Sequence, residues 1–116
     1  MRIVSYADEH FRTTDAVADA VLRYSMLLAQ GSSSDVVRIP VIRDQDQTWA
    51  QIIVGPASQI TTLEVAVDDD DATLDDAATV ADLSRRADEL ATAQAPRSAQ
   101  TEPADEADPF DLDYLD

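Results

Sequence analysis

Few residues in this 116-residue chain could perform acid–base or nucleophilic chemistry. The single histidine, His10, follows Asp8 and Glu9, a grouping that could act as a base–acid pair or hold a metal ion. The chain has no second histidine and no cysteine to complete either kind of site. We interpret His10 as a side chain at the junction between a strand and a helix, and we assign no catalytic residue.

A run of acids near the middle of the chain raises the question of a cation site. Asp68 to Asp71, with Asp75 and Asp76, supply the oxygen ligands that Ca²⁺ and Mg²⁺ prefer. An EF-hand loop needs a central glycine and an acid at its twelfth position, whereas this segment has no glycine and reaches Thr79 there. The chain has only two glycines, which is too few for a glycine-rich phosphate loop. We therefore expect no metal and no cofactor.

Charge is divided unevenly along the sequence. Residues 1–67 carry eight acids and five arginines (net −3), whereas residues 68–116 carry sixteen acids and three arginines (net −13). Since the arginines are scattered, direct binding to nucleic acid is not expected. The near-neutral first part argues against salt adaptation and favours a GC-rich genome as the source of the composition. The lack of a signal peptide, a membrane span and cysteine predicts a cytoplasmic protein.

Residues 1–67 have the patterning of a small α+β domain. β-branched residues predict four strands, at residues 2–7, 36–43, 48–54 and 61–67. Pro40 places the second of these strands at a sheet edge or marks a bulge. An apolar stripe predicts a helix that is capped by Thr13 or Thr14 and ends at Gly31. The order β-α-β-β-β predicts a two-layer unit, a mixed four-stranded sheet covered by one helix.

The second face of the predicted sheet is apolar for a surface that would meet solvent. Alternation places four apolar side chains on this face: Val36, Ile42, Trp49 and Ile53. Exposed apolar patches mark interfaces. We therefore expect this face to be covered by the acidic helix that follows, by a second copy of the chain or by a partner.

Residues 68–94 are predicted to form an acidic boundary and an amphipathic helix. Thr73 and Asp76 fit a capping box. A narrow apolar stripe then follows, made by Val80, Leu83, Ala87 and Leu90. Residues 95–116 are rich in proline, alanine and acids, and this composition predicts a disordered C-terminal tail.

The tail ends in a peptide, Asp108 to Asp116, in which apolar and acidic residues alternate. A purely solubilising tail does not need large apolar side chains, so this peptide is the best candidate for a docking motif. It fits a partner protein with a basic-rimmed apolar groove. The candidate partner-binding residues are Phe110, Leu112, Tyr114 and Leu115 in the peptide, and Trp49 and Ile53 on the sheet.

Three functions stay open from the sequence alone. The first is a non-enzymatic acidic adaptor or regulatory protein that docks partners through the apolar sheet face and the C-terminal peptide, and that could form a homo-oligomer. The second is a nucleic-acid mimic that inhibits a DNA- or RNA-binding protein. The third is a small enzyme subunit whose site, with Tyr24, His10 and Trp49, is completed at an oligomer interface. We favour the first, because the sequence shows no catalytic constellation and the second sheet face is apolar. A mimic usually holds its charges on a rigid surface, whereas much of the acid here lies in the predicted disordered tail. The enzyme ranks last, because nothing pairs a nucleophile with a base.

Overall fold

The computed structural model describes residues 1–66 and 74–95. In chain order these contain β1 (Arg2–Tyr6), β2 (Glu9–Thr13), α1 (Asp15–Gln30), β3 (Asp35–Arg43), β4 (Asp46–Val54), β5 (Ile60–Glu64) and α2 (Ala77–Ala93). The strands form one antiparallel sheet in the order β4-β3-β2-β1-β5. The α+β class is confirmed. The mixed four-stranded sheet is wrong, because within the described residues the sheet has five strands and no parallel pair.

The strand that the sequence patterning missed is β2. The chain turns back after β1 through Ala7 and Asp8, whose φ values are 48° and 67°. Two successive positive φ values are what a type I′ hairpin turn requires, and such turns are usually marked by Asn-Gly or Asp-Gly. Ala-Asp carries no such signal. His10 therefore lies on a strand, directly opposite Ser5, and not at a strand-to-helix junction.

The hairpin of β3 and β4 is the longest paired element. Its register runs from Asp35 opposite Val54 to Arg43 opposite Asp46. The turn contains only Asp44 and Gln45, which again have positive φ values of 52° and 70°. The strand predicted over residues 48–54 therefore begins two residues earlier, at Asp46.

Pro40 lies in an internal strand, contrary to the expectation of an edge strand or a bulge. β3 is flanked by β4 and β2, but β2 is in register with β3 only where Arg12 faces Ile42. The missing N–H of Pro40 is tolerated because the β2 ladder does not extend to it. Its carbonyl oxygen accepts a hydrogen bond from the buried Thr13 hydroxyl at 2.8 Å.

The helix α1 begins and packs as its apolar stripe predicts. Thr14 is the N-cap, and its hydroxyl oxygen accepts the Val17 N–H at 3.1 Å. The stripe is buried against the inward side of the sheet, in a core formed by Val4, Phe11, Val17, Ala18, Val21, Tyr24, Leu28, Val37, Ile39, Val41, Ile52, Val54, Leu83 and Ala87.

The helix α2 packs against α1 and contributes to the same core. It begins three residues after the position that the predicted capping box implies, and its N-cap, Asp76, makes no side-chain cap bond. The Asp76 carboxylate instead accepts a hydrogen bond from the Thr14 hydroxyl at 2.6 Å. Thr73 lies outside the described residues. Neither helix is long and apolar enough to cross a membrane.

A partly buried cluster of three side chains joins α1, β3 and α2. The Tyr24 hydroxyl donates to Asp35 Oδ2 at 2.6 Å, and the Arg86 guanidinium donates to the same oxygen at 3.0 Å. The Tyr24 hydrogen bond, with smaller contributions from the Val36 N–H and Arg86, lowers the pKa of Asp35 although partial burial opposes this. Burial and the neighbouring carboxylate raise the pKa of Tyr24. Ionised Asp35 therefore stabilises the fold at neutral pH.

The lowered pKa of Asp35 predicts a specific acid sensitivity. Its contribution is present above the ordinary carboxyl pKa of about 4 and is lost as the pH falls through the lower folded-state value. Asp35→Asn should therefore reduce the free energy of unfolding at pH 7, with a difference from wild type that shrinks in acid. Urea unfolding followed by circular dichroism at several pH values measures this. Asp75→Asn, at an exposed position, is the control; equal pH dependence in all three proteins would contradict the assignment.

The two glycines should respond differently to alanine. Gly55 is buried with φ 155°, and an added Cβ would lie 2.7 Å from the Ser33 carbonyl oxygen, so Gly55→Ala should cost at least about 1–3 kcal/mol. Gly31 has an ordinary φ of −97°, and its added Cβ would meet only the flexible tip of Gln94. Gly31→Ala should thus cost about 1 kcal/mol, chiefly through the Gln94 hydrogen bond to the Leu27 carbonyl. Denaturant unfolding of both variants gives the ranking, and a reversed order would refute it.

Candidate interaction surface

The outward side of the β3–β4 hairpin is the strongest candidate site. Alternation along the paired strands places eight residues there, since the residues between them face the core or end the hairpin. We call this surface the outer face. It consists of four cross-strand pairs: Val36 with Ile53, Arg38 with Gln51, Pro40 with Trp49, and Ile42 with Gln47.

The outer face contains no carboxylate, in a chain that carries 24 acids and a net charge of −16. The acids of these two strands, Asp35 and Asp46, occupy the alternate positions. Arg38 supplies a positive charge on the face, and Arg12 lies beside it on β2, opposite Ile42 in the register. The outer face is therefore apolar and positively charged, unlike the chain as a whole.

Three large apolar side chains of the outer face are exposed to solvent. Val36 and Trp49 are each 50% exposed, and Ile53 is 54% exposed. The guanidinium carbon of Arg38 lies 4.4 Å from the centroid of the Trp49 ring, within the range of a cation–π contact. This contact holds both side chains in one geometry before any ligand arrives, which reduces the ordering cost of binding.

Ile42 corrects one part of the sequence prediction. It points to the outer side as expected, but it is only 2% exposed. At this position β3 is an internal strand, with Arg12 on one side and Gln47 on the other. Neighbours on both sides cover Ile42, whereas the edge strand β4 leaves Trp49 and Ile53 uncovered.

The backbone of Ile53 is held on both sides. Its N–H donates to the Tyr6 hydroxyl oxygen at 3.2 Å, and its carbonyl oxygen accepts a hydrogen bond from the Ser58 hydroxyl. Because β4 is an edge strand, these side chains satisfy backbone groups that the sheet does not pair. This end of the outer face is thus a fixed platform.

Neither helix of the described chain covers the outer face. The helix α2 lies against α1, where Arg23 pairs with Asp88 at 2.8 Å and Gln94 donates to the Leu27 carbonyl oxygen at 2.8 Å. Val36, Trp49 and Ile53 remain exposed with α2 in place. The acidic helix α2, one of the three covers considered from the sequence, therefore does not cover the outer face.

The structure brings two of the residues predicted from the sequence together, Trp49 and Ile53, and separates them from Tyr24. Trp49 and Ile53 share the outer face, two positions apart in its alternation. Tyr24 is buried in the core on the inward side of the sheet, whereas Trp49 lies on the outer face. The peptide residues Phe110, Leu112, Tyr114 and Leu115 lie outside the described residues.

The sequence patterning also missed a serine–histidine contact. Ser5 Oγ lies 2.9 Å from His10 Nδ1 across the β1–β2 pair, and both line a cavity of about 670 Å³ near Asp8 and Ser58. A serine beside a base is the start of a nucleophilic site. Within residues 1–66 and 74–95, however, no carboxylate bonds the other ring nitrogen of His10, and no three acidic, histidine or cysteine side chains are grouped to hold a metal. Recognition of the Ala7-Asp8 turn would have revealed this contact.

No protein-family model, no curated protein and no solved structure matches this chain.

The unequal burial of two outer-face positions makes a prediction about stability. Ile42→Ala should cost about 2–4 kcal/mol, because it removes a buried side chain and leaves a cavity. Val36→Ala, at a half-exposed position of the same strand, should change the free energy of unfolding by less than about 1 kcal/mol. Urea unfolding of the two variants tests this. Equal losses would mean that Ile42 is not covered.

Proposed function

We propose that this protein is a non-enzymatic interaction module that docks a partner protein on its outer face. One observation carries the proposal: a face with three exposed apolar side chains lacks any carboxylate, in a chain of net charge −16. Exposed apolar residues scattered singly are normal on a protein surface, but three on adjacent strands form a patch. An apolar patch that carries no negative charge, on an otherwise acidic protein, is suited to burial in an interface.

The chemistry of the outer face defines the partner that fits it. Val36 and Ile53 offer aliphatic surface, and the Trp49 ring offers a large rigid contact of the kind that dominates binding energy at interfaces. Arg38, already stacked on that ring, is positioned to meet a carboxylate at the edge of the contact. The fitting ligand is an apolar segment flanked by acids. The C-terminal peptide is the second contact that we propose, toward a basic-rimmed apolar groove.

The nucleic-acid-mimic alternative has less support. A mimic needs carboxylates that are free to replace phosphates, whereas several on the helices face arginines. Asp88 pairs with Arg23 at 2.8 Å, and Asp82 lies 2.6 Å from Arg85. Competition between the protein and DNA for a basic enzyme, weakening steeply with salt, would favour this alternative over the adaptor.

Substitutions on and off the outer face test the docking proposal. Ile53→Asp should weaken binding of a purified partner about tenfold or more, because it places a charge in an apolar contact. Val36→Asp should act in the same direction. The partner is identified by capture on the wild-type chain and mass spectrometry, and binding is then measured by calorimetry.

Leu63→Asp is the matched control for this experiment. Leu63 is 65% exposed, but it lies on β5, at the opposite edge of the sheet from β4. This variant should bind the partner like the wild type. Partner binding that is indifferent to the Ile53 and Val36 substitutions, or equally weakened by the Leu63 substitution, would sink the proposal.

A further inference from the structure

The outer face is uncovered in the described part of the chain, and the chain itself contains a peptide with matching chemistry. We propose that residues 108–116 of the same chain occupy the outer face until a partner displaces them. This inference rests on the proposed function, since it names the resting ligand of the same surface. It makes the C-terminal peptide an internal competitor of the partner.

Charge favours the outer face over the rest of the described surface. Residues 108–116 contain four acids, four large apolar side chains and no base. The described residues carry thirteen acids and seven arginines, so the domain as a whole repels this peptide. The outer face offers the peptide apolar side chains, the Arg38 guanidinium and no carboxylate of its own, although Asp8 lines a cavity beside Ile53. The acids of the peptide are repelled by the other acids of the domain and attracted by Arg38, and both interactions are screened beyond about 8 Å.

The chain leaves α2 at the correct end of the domain. Gln94, just after α2, donates to the Leu27 carbonyl oxygen and lies close to Gly31, at the end of α1. The residues that follow Gly31 lead into β3, and the Ser33 carbonyl packs against Gly55, just after β4. Val36 and Ile53, which pair near these two junctions, thus lie at the end of the outer face nearest to the start of the tail.

The intervening chain is long enough to reach the face. Residues 96–107 separate the described part of the chain from the peptide. These twelve residues span up to about 40 Å when extended. A globular unit of this size has a diameter of about 30 Å. Linkers of this length give effective concentrations in the millimolar range, so a weak contact is sufficient for occupancy within one chain.

The spacing of the peptide also matches the surface. In an extended peptide, Phe110, Leu112 and Tyr114 project to one side at intervals of about 6.7 Å. The outer-face positions of β4 follow the same interval, because they too alternate along a strand. Apolar side chains of the peptide can therefore meet Trp49 and Ile53 together.

The single tryptophan provides the test. Trp49 is the chain's only tryptophan and is 50% exposed on the outer face of the described structure. The full-length wild type is compared with a full-length variant carrying Phe110→Ser, Leu112→Ser and Tyr114→Ser. A matched control carries Ala99→Ser, Ala104→Ser and Ala107→Ser, which alter the linker but leave the peptide intact. Trp49 is excited selectively and quenched with acrylamide.

We expect the peptide to shield Trp49 in the wild type and in the linker control. Their quenching constants should be lower than that of the peptide variant, because a ring covered by the peptide is less accessible to acrylamide. The shielding should not change over an about tenfold range of protein concentration, because the contact is intramolecular. Equal quenching in all three proteins, or shielding that grows with concentration, would overturn the proposal.

A second measurement locates the peptide directly. The chain has no cysteine, so Ala107→Cys gives one attachment point for a spin label. The label should broaden the amide signals of Val36 and Ile53 more than those of Leu63, on the opposite edge strand. Uniform broadening, or none on the outer face, would contradict occupancy.

The outcomes separate this inference from the proposed function. If Trp49 is not shielded but Ile53→Asp still abolishes partner binding, the outer face docks a partner and the peptide is not its resting ligand. If Trp49 is shielded but Ile53→Asp binds the partner normally, the peptide covers the face and the proposed function fails. If Trp49 is shielded and Ile53→Asp also weakens partner binding, both proposals hold.

Discussion

The carboxylate of Asp35 is the contact on which the arrangement of the domain depends. It stands at the first residue of β3 and accepts hydrogen bonds from Tyr24 of α1 and Arg86 of α2. One oxygen atom thereby joins the β3–β4 hairpin to both helices. Because two donors converge on it, the ionised form is favoured, and the inward side of the hairpin is held against the core. The outward side is left without a covering element in the described chain.

The separation of charge between the two sides of the hairpin follows from this arrangement. The carboxylates of β3 and β4, Asp35 and Asp46, lie on the inward alternation at the strand ends, and Asp35 is met there by the Tyr24 hydroxyl and Arg86. The outward alternation retains aliphatic, aromatic and positively charged side chains. An acidic protein thus has one surface that does not repel acidic ligands. The proposed docking of a partner, and of the C-terminal peptide before it, both derive from that difference.

Most of the structure that could be predicted from the sequence follows from the alternation of apolar residues in strands and their periodicity in helices. The alternation of apolar residues in the two strands of the β3–β4 hairpin places Trp49 and Ile53 on the side of the sheet opposite the core, as the structure shows. The Thr14 cap and the apolar stripe of α1 were also predicted from the sequence. In contrast, β2 was missed because the Ala7-Asp8 turn lacks the Asn-Gly or Asp-Gly pair that usually marks a two-residue hairpin turn. That omission concealed the fifth strand and the contact of Ser5 with His10.

The sequence by itself determined the α+β class, the position of α1 and the side of each long strand that turns away from the core, because these follow from local periodicity and capping. Only the tertiary structure decided the antiparallel order of the sheet, the burial of Ile42 and the placement of α2 on α1. Each depends on residues far apart in the chain, such as Asp35 and Arg86, which are 51 positions apart. Long-range pairing of this kind leaves no periodic trace, since it is selected by packing and by the satisfaction of buried polar groups once the elements have formed.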